Sequence, residues 1–548
     1  MATLLRFLTG SARNAKDRDD DRVLDLHIPT YHLSSTLPCQ RGLPTIGALT
    51  KRPRRWTTSV RVTAALAAVL VALALYASTF VVSYSQLFRT DDPLLVTDVA
   101  RLATARVAGV SDAREVEQLQ AILKDAKARK LKVSIAGSRH SQGGHTYTAG
   151  GVVLNMRRFN RILAIDPVGM TITVESGATW DEVQRAIAPR RLAVKVMQSS
   201  NIFTVGGTLS ANAHGRDVDV MQVVDVVERF RLLLADGKVV EVSRTANPEL
   251  FSLVIGGYGL YGVILDVTLR VTRDELYEQR SVSMDYTEFP RHFAQIKADT
   301  GVVLVLARPS IDPDPARFLR EMVVVTWRRA GPDQSASFTL TEEEHVLRDK
   351  FFFGLSRKFD WAKSLRWKLQ KRVELGADDA RIVSRNNSMR PPLAPLELLD
   401  YRSPHDTDII QEYYVPVESF VPFMDRFRQI LLDGDLNVLS STVRYVAPNA
   451  TPVLAYAPKK ATFAIIQMSN VPLTAKGQAR AESVTRQLVD AALDYGGTYY
   501  LTYQLYPTAE QLHRAYPNAR HAFERKRFYD PDEIFSNQFY QKYGHTEP

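Results

Sequence analysis

The amino-acid sequence predicts an α+β protein in two packed parts, preceded by one long apolar helix. Three observations carry that expectation. Val62 to Val82 runs 21 residues without a charged side chain. Residues 95–275 alternate short β-branched runs with amphipathic helical runs and small-residue loops. From Asp408 onward the pattern becomes strand, helix, strand, strand, helix, which suits an antiparallel sheet with helices on it. A chain of 548 residues has room for two or three such units.

The apolar run (VTAALAAVLVALALYASTFVV) comes first. About 20 apolar residues cross a hydrocarbon core of about 30 Å. Lys51, Arg52, Arg54, Arg55 and Arg61 precede it, whereas Arg89, Asp91 and Asp92 follow it. The excess of positive charge on the first side predicts a single-pass membrane protein. Residues 1–61 are then a cytoplasmic tail, 62–88 the transmembrane helix, and the large C-terminal part lies outside the cytoplasm. The alternative is a cleaved signal peptide with Ala72-Leu73-Ala74 as its small-residue site; the long polar leader favours a retained anchor. The tail has no hydrophobic period and reads as disordered. It contains Cys39, the one cysteine of the chain, which excludes an internal disulfide and a cysteine-based zinc site; no metal site is expected.

A net charge of +10 and a pI near 9.4 invite a nucleic-acid reading. The charge is not spread over the chain. Residues 1–61 hold 11 basic and 5 acidic side chains, and residues 349–372 hold 8 basic and 2 acidic, so each segment supplies six of the surplus and the rest is slightly acidic. No nucleic-acid partner is expected. Residues 349–372 (DKFFFGLSRKFDWAKSLRWKLQKR) mix aromatics with cations. They suit a helix lying in a membrane interface or, equally, a helix that packs its aromatics inward.

Between 95 and 275 the elements follow one another closely. Ala113–Arg129 is an amphipathic helix with Val116, Leu119, Ile122 and Leu123 on one face. Lys132–Ile135 is a short strand that runs into the loop Gly137-Ser138-Arg139-His140-Ser141. A second small-residue loop spans Thr204–Gly215 and a third spans Ile255–Ile264, with strands expected at Val152–Asn155, Thr171–Val174, Phe230–Leu234 and Lys238–Val242. Asp236-Gly237 is a hairpin turn. Small-residue loops after strands let backbone N–H groups approach an anion. None of them fits G-x-G-x-x-G within a βαβ unit, and no P-loop lysine follows, so ordinary dinucleotide-fold and NTPase readings are excluded.

Three ordered stretches carry a resemblance: GSRHS (137–141) with LNMRRFNRILAID (154–166), VGGTLSANAHG (205–215), and LADGKVVEVS with NPELFSLVIGGYGLYGVILDVTLRV (234–271). Residues 95–275 resemble the FAD-binding domain of the vanillyl-alcohol oxidase/PCMH-type flavoproteins, and in particular the alditol and aldonolactone oxidases. The resemblance implies a two-subdomain PCMH-type FAD-binding domain at 95–275, an α+β substrate or cap domain at 276–510, and a segment at 511–548 that returns to the FAD domain. It implies FAD as cofactor, bound by Gly137, Ser138, Arg139, His140, Ser141, Gly206, Gly207, Ser210, Asn212, His214, Gly215, Gly257, Gly259, Gly262 and Val263. His140 stands where that family joins histidine covalently to the flavin; a non-covalent histidine beside the ring is the alternative. His145 and His214 are the other imidazoles near the cofactor loops, His214 reading as a structural contact. The closing Tyr529-Asp530-Pro531 and Phe535-Ser536-Asn537 resemble the end of the lactone and alditol oxidases. Leu501–Leu505 departs from the His-Trp-x-Lys of the aldonolactone enzymes, which points away from an aldonolactone and leaves sugar or alcohol oxidation in general.

In such an enzyme the flavin takes hydride and the protein must place the carbinol and remove the hydroxyl proton. The polar residues of the C-terminal half proposed for this are Glu412, Arg444, Tyr414, Tyr503 and Gln504, with Arg385, Asn386 and Asn387 beside them. A purely structural Glu412–Arg444 pair is the competing reading, since a lone buried charge is costly. The expected activity is a membrane-anchored oxidation of an alcohol, polyol, sugar or lactone, with a small-molecule or lipid-linked substrate and O2 or a membrane quinone as acceptor. A quinone-linked dehydrogenase, a sterol or lipid-linked-sugar oxidoreductase, and a flavin-binding protein without catalysis are the alternatives.

Overall fold

The computed structural model describes residues 58–85, 92–220, 222–342, 346–376, 381–390 and 403–546. The expectations for the N-terminal tail, Cys39 included, and for the proline-rich stretch Pro391–Pro395 lie outside those residues. The chain divides into two compact units, Met1–Gln86 and Leu87–Pro548.

In the first unit the expected apolar helix forms over Thr58–Ser85. Its Val62, Leu66, Val69, Leu70, Val71, Leu73 and Leu75 are all exposed. Among the described residues no helix is long and apolar enough to cross a membrane. Of the expected span at 62–88, residues 62–85 are helical, and the rest lies outside the described residues.

The second unit opens with two sheets that hold the small-residue loops. Val133–Ala136 and Gly109–Asp112 both pair in parallel with Val152–Asn155. An antiparallel sheet runs in the order Val239–Ser243, Val227–Leu233, Val263–Arg273, Thr171–Glu175, Ile162–Asp166, with Leu192–Val194 added on Val263–Arg273. The helix expected at Ala113–Arg129 covers Val116–Ala128. It starts where Glu115 and Gln118 form a reciprocal capping box, and it buries Leu119, Leu123 and Ala126. The Asp236-Gly237 turn has Gly237 at φ +85°, and the flanking strands pair from Leu233–Val239 outward.

Only two residues separate Val263–Arg273 from the next strand, Leu276–Asp285, so the chain steps directly into a second, larger sheet. Its eight strands lie in the order Arg381–Ser384, Leu276–Asp285, Glu321–Arg329, Val302–Pro309, Asn437–Val446, Thr462–Pro472, Asp406–Pro416, Thr498–Tyr499. Every pairing is antiparallel. Tyr414 lies opposite Ala464, which lies opposite Arg444, and Glu412, Ile466 and Thr442 form the next row. Facing residues share a face, so Glu412, Tyr414 and Arg444 project from one side of the sheet. Tyr413 projects from the other side and packs on Phe423 and Phe427 of the helix Phe420–Asp433. The helix expected from Val417 begins at Phe420, after a 3-10 turn over Val417–Ser419. A continuous core containing Trp180, Phe230, Phe251, Phe289, Phe420 and Phe463 runs through both sheets.

The end of the chain returns to the first strand of the small-residue loops. Phe535 bridges Val133 in parallel, Val133 N–H donates to Ile534 O (2.7 Å), and Ser536 N–H donates to Val133 O (2.9 Å). In the aromatic and basic segment the two readings divide between side chains: Phe353 and Trp367 are buried, whereas Phe359 and Trp361 are exposed.

Candidate active site

The three small-residue loops converge on one cleft. The first loop follows Val133–Ala136 and gives Gly137, Ser138, Arg139, His140 and Ser141 to the lining. Gly137 has no alternative: a Cβ there would lie 2.1 Å from Thr204 Oγ1. Arg139 sits at φ +57°, the left-handed region, which turns the loop sharply just before His140. The second loop is the helix Val205–Ala211, capped by Thr204, whose hydroxyl accepts from Gly207 N–H (3.2 Å). It lines the cleft with Gly206, Gly207, Thr208 and Ser210. The third loop contributes Tyr258, Gly259 and Gly262.

Four polar side-chain atoms lining this cleft are buried with no hydrogen-bond partner: Ser141 Oγ, Thr146 Oγ1, Ser176 Oγ and His145 Nδ1. Burying polar groups unsatisfied is costly, so their alignment along one cleft marks where a polar ligand belongs. His145 donates from Nε2 to Leu501 O (2.8 Å), and burial pushes its pKa down to about 4, so the ring is neutral over the working range.

The large sheet closes the cleft from the other side through Tyr500, Thr502 and Tyr503. The hydroxyls of Tyr500 and Tyr456 donate to the carbonyls of Ala211 (2.8 Å) and Asn212 (2.9 Å), satisfying the C-terminal end of the Val205–Ala211 helix. Beside them is a fully buried polar cluster. His214 Nε2 donates to Glu412 Oε1 (2.5 Å), and Tyr503 Oη donates to Glu412 Oε2 (3.3 Å). His214 and Glu412 are 3% and 2% exposed. Burial holds the Tyr503 and Tyr414 phenols far above their usual range, with Glu412 pushing the same way, so both stay protonated. Tyr414 stacks on Tyr456 (4.3 Å, 12°), and its hydroxyl is buried without a partner. Arg444 donates to the Ser199 hydroxyl, and its Nε is buried without a partner. Burial pulls its pKa down, and Glu412, Tyr503 and Tyr414 pull it back up.

The structure therefore gathers most of the expected residues. Gly137, Ser138, Arg139, His140, Ser141, Gly206, Gly207, Ser210, Gly259, Gly262 and Tyr503 line the cleft. Glu412, Tyr414, Arg444 and His214 form the polar cluster beside it, and Gln504, on the loop after Tyr503, has a buried Nε2 without a partner. The competing Glu412–Arg444 pair is not what forms: Glu412 takes His214 and Tyr503, and Arg444 takes Ser199. His214, expected as a structural contact, instead reaches across to the catalytic candidate.

Other expected residues support the site from behind. Asn212, at φ +47°, donates to Gln222 Oε1 (2.8 Å) and ends the helix. Gly215 packs against Met197 O, Gly257 against Leu253 O and the Tyr261 ring, and Val263 is a core residue. Arg385, Asn386 and Asn387, placed in the pocket by the sequence reading, lie elsewhere. Arg385 donates to Val194 O (3.1 Å), Lys195 O (2.7 Å), Tyr277 Oη (2.9 Å) and Asp217 Oδ2 (2.8 Å). Asn386 holds Leu192 O and Asp274, and Asn387 holds Thr339 O. They tie the two sheets together. The sequence reading also passed over Arg216, one residue beyond the second loop. It is buried on the Trp327 ring (5.2 Å) with only Ser388 O as acceptor (2.5 Å), and burial followed by Arg444 lowers its pKa to about 9.

The small-residue cleft lies between a parallel and an antiparallel sheet and is roofed by a second sheet. Residues 107–243 match the family described as FAD binding domain, and this part of the chain belongs to it. The chain is 33% identical over 192 residues to an uncharacterised oxidoreductase of the fasciation locus of Rhodococcoides fascians (34% of this chain, 43% of that one). It is 27% identical over 239 residues to the mitochondrial L-galactono-1,4-lactone dehydrogenase of Arabidopsis thaliana (42% and 38%). It is 30% identical over 173 residues to the decaprenylphosphoryl-beta-D-ribose oxidase of Mycolicibacterium smegmatis (31% and 37%). The match thus spans less than half the length of each of these relatives. The residues fit FAD: the loops approach closely only because they are glycine, and the orphaned Ser141, Thr146, Ser176 and His145 atoms supply the polar partners a dinucleotide needs.

Proposed function

We propose that this chain is an FAD-dependent oxidoreductase that oxidises a CH–OH group of a sugar, polyol, lactone or related hydroxy compound. The observation that carries this reading is the Glu412 carboxylate held between His214 and Tyr503 at the edge of the FAD cleft. Bound FAD supplies the hydride acceptor. Glu412 receives the hydroxyl proton and becomes a neutral carboxyl group, and His214, through its Nε2–H, holds that group in place. Tyr414, a neutral phenol whose hydroxyl is buried without a partner, orients the substrate oxygen, Tyr503 holds Glu412 in place, and Arg444 offsets developing negative charge.

Stopped-flow mixing without oxygen tests the reading. Alditols, L-galactono-1,4-lactone, which one relative's name gives, and D-lactate are each added to the yellow protein. Bleaching of the flavin by one of them supports it; a flavin that none of these classes reduces, in protein that dithionite does reduce, removes it. Peroxide release in air then separates an oxidase from a dehydrogenase with a quinone acceptor.

Two finer parts belong to the same proposal. His140 is joined to the flavin, which its place in the cleft lining supports; flavin that leaves the denatured protein disproves the bond. The helix Thr58–Ser85 anchors the chain in a membrane, with the catalytic unit outside the cytoplasm; its exposed apolar side chains and the basic flank before it support this. Protease protection of the C-terminal unit in intact cells, relative to lysed ones, reads the opposite orientation.

A further inference from the structure

Trp361, Leu365, Leu369 and Val373 recur every four residues along the helix Asp360–Leu375. All four are exposed, Trp361 at 57% and Val373 at 79%. That spacing places them in one stripe. Phe359, just before the helix, is exposed too and stacks on Trp361 (5.7 Å). Among the described residues of Leu87–Pro548, the other exposed large apolar residues, such as Val168, Val282 and Phe528, form no such run in sequence. Single ones are ordinary surface, whereas a contiguous stripe marks an interaction site.

The stripe is held outward by a firmly attached opposite face. Ala362, Lys363 and Trp367 are buried. Trp367 Nε1 donates to Glu321 Oε2 (3.1 Å), Lys371 Nζ to Glu321 Oε1 (2.7 Å) and Ser364 Oγ to Asp312 Oδ1 (3.0 Å). Lys368 and Arg372 are exposed between the stripe residues, and Lys358 is exposed just before Phe359. The one acidic residue of the first turn, Asp360, is paired with Lys363 (3.0 Å). The chain also enters this unit here: Val99 packs against the cluster of Phe353, Leu439 and Met468, Thr407 Oγ1 donates to Ala100 O (2.6 Å), and Lys358 pairs with Asp406. In sequence, the apolar helix Thr58–Ser85 is the element before that entry.

We infer that the face Phe359–Val373 docks in the interface of an anionic lipid bilayer. A stripe of aromatic and aliphatic side chains flanked by exposed cations matches acyl chains below and anionic headgroups around them. A second copy of the chain would set Lys368 and Arg372 against like charges. Docking also brings the bilayer beside the active-site wall. Glu374, in the last turn of the helix, pairs with Arg308 (2.5 Å), which lies diagonally from Arg444 across the Ala307–Val443 strand pair. If the proposed oxidoreductase reading holds, a substrate carried by the membrane would arrive next to Glu412; the docking itself does not rest on that reading.

The test uses the full-length holoprotein, with Cys39→Ser and a single label site at Leu369→Cys or, as control, at Val168→Cys, which is 95% exposed. Each carries an environment-sensitive NBD label and is reconstituted in nanodiscs of phosphatidylcholine with a minority of phosphatidylglycerol. The 369 label is expected to shift to the blue and to be quenched by doxyl lipids at least about twofold more than the 168 label, with K368E/R372E reducing the difference. Equal quenching at the two positions overturns the inference. A blue shift without lipid quenching also overturns it, assigning the face to a protein partner or a second copy. Flavin absorbance, read separately, reports folding and the FAD reading in every sample.

Discussion

Asp408 and Glu412 lie four residues apart on the same strand, on the same face, and both are buried, yet they are paired in opposite ways. Asp408 is held by Arg357, whose Nε donates to both carboxylate oxygens (3.1 and 3.0 Å), and by Asn470 Nδ2 (2.9 Å). Arginine keeps its proton, so that arrangement is closed and permanent. Glu412 is held by a histidine and a tyrosine, each of which carries one proton toward it, at the edge of the FAD cleft. One strand therefore carries a carboxylate that fastens and a carboxylate that can exchange a proton. The partner, not burial, separates them.

Substitutions can break that contrast, and the largest effect falls on Glu412. Glu412→Gln keeps the shape and removes the base, so substrate-driven flavin reduction should slow by about 10²–10⁴-fold while FAD content is unchanged; unchanged reduction kinetics would place the base elsewhere. Arg357→Ala should act in the other currency, costing about 3–5 kcal/mol of stability because Asp408 is left buried and unpaired. Denaturant unfolding measures it, and the folded fraction should reduce its flavin at the normal rate.

A third expectation concerns pH. The folded pKa of His145, about 4, lies below the ordinary 6.5, so the unfolded chain binds the extra proton between those values. Stability from this group is full above pH 6.5 and is lost as pH falls toward 4, by up to about 3 kcal/mol. Asp98 opposes it, because burial raises its pKa to about 6 and the folded chain then binds the extra proton below that. The stability difference between the wild type and His145→Gln, measured at pH 7 and pH 4.5, isolates the histidine; no change in that difference would refute its burial as a neutral ring.

Gly137→Ala should come next, with a Cβ driven against Thr204 Oγ1 costing about 1–3 kcal/mol and lowering retained flavin after gel filtration. Tyr503→Phe sharpens the comparison most finely. Losing one hydrogen bond to Glu412 should slow flavin reduction by about tenfold, roughly 1–1.5 kcal/mol, with no loss of cofactor.

What the sequence revealed and what it hid follow the same physics. The FAD loops were legible because each is local: a strand, then glycines whose lack of a side chain is itself the function, as at Gly137 and Gly206. Arg444 was legible as a charge in an apolar strand, and with it the carboxylate Glu412. The carboxylate's partner was not, because His214 is 198 positions away and is delivered only when two sheets pack. Arg385–Asn387 were misplaced for a related reason. A buried polar residue that ties two sheets and one that lines a pocket have the same composition, and only the acceptors around them differ. In the aromatic segment, the count of aromatics and cations could not say which ring faced inward. The four-residue spacing of Trp361, Leu365, Leu369 and Val373 was present in the sequence, and it identifies the exposed face once the opposite face is seen anchored on Glu321.

The pairing of Phe535 with Val133 has a consequence for the order of events during synthesis. The strand Val133–Ala136 delivers the first cofactor loop, and one edge of it is completed by residues 534–536, near the end of the chain. Ser134 Oγ donates to Ser536 O (2.6 Å), and Asn537 Nδ2 donates to Tyr258 O (2.9 Å) beside the third loop. A ribosome that has made the whole glycine-rich region has still not made the residues that hold it shut. Flavin capture is therefore expected to wait for residues 534–537, and a chain lacking them should emerge colourless, which the absorbance of the purified truncated protein checks.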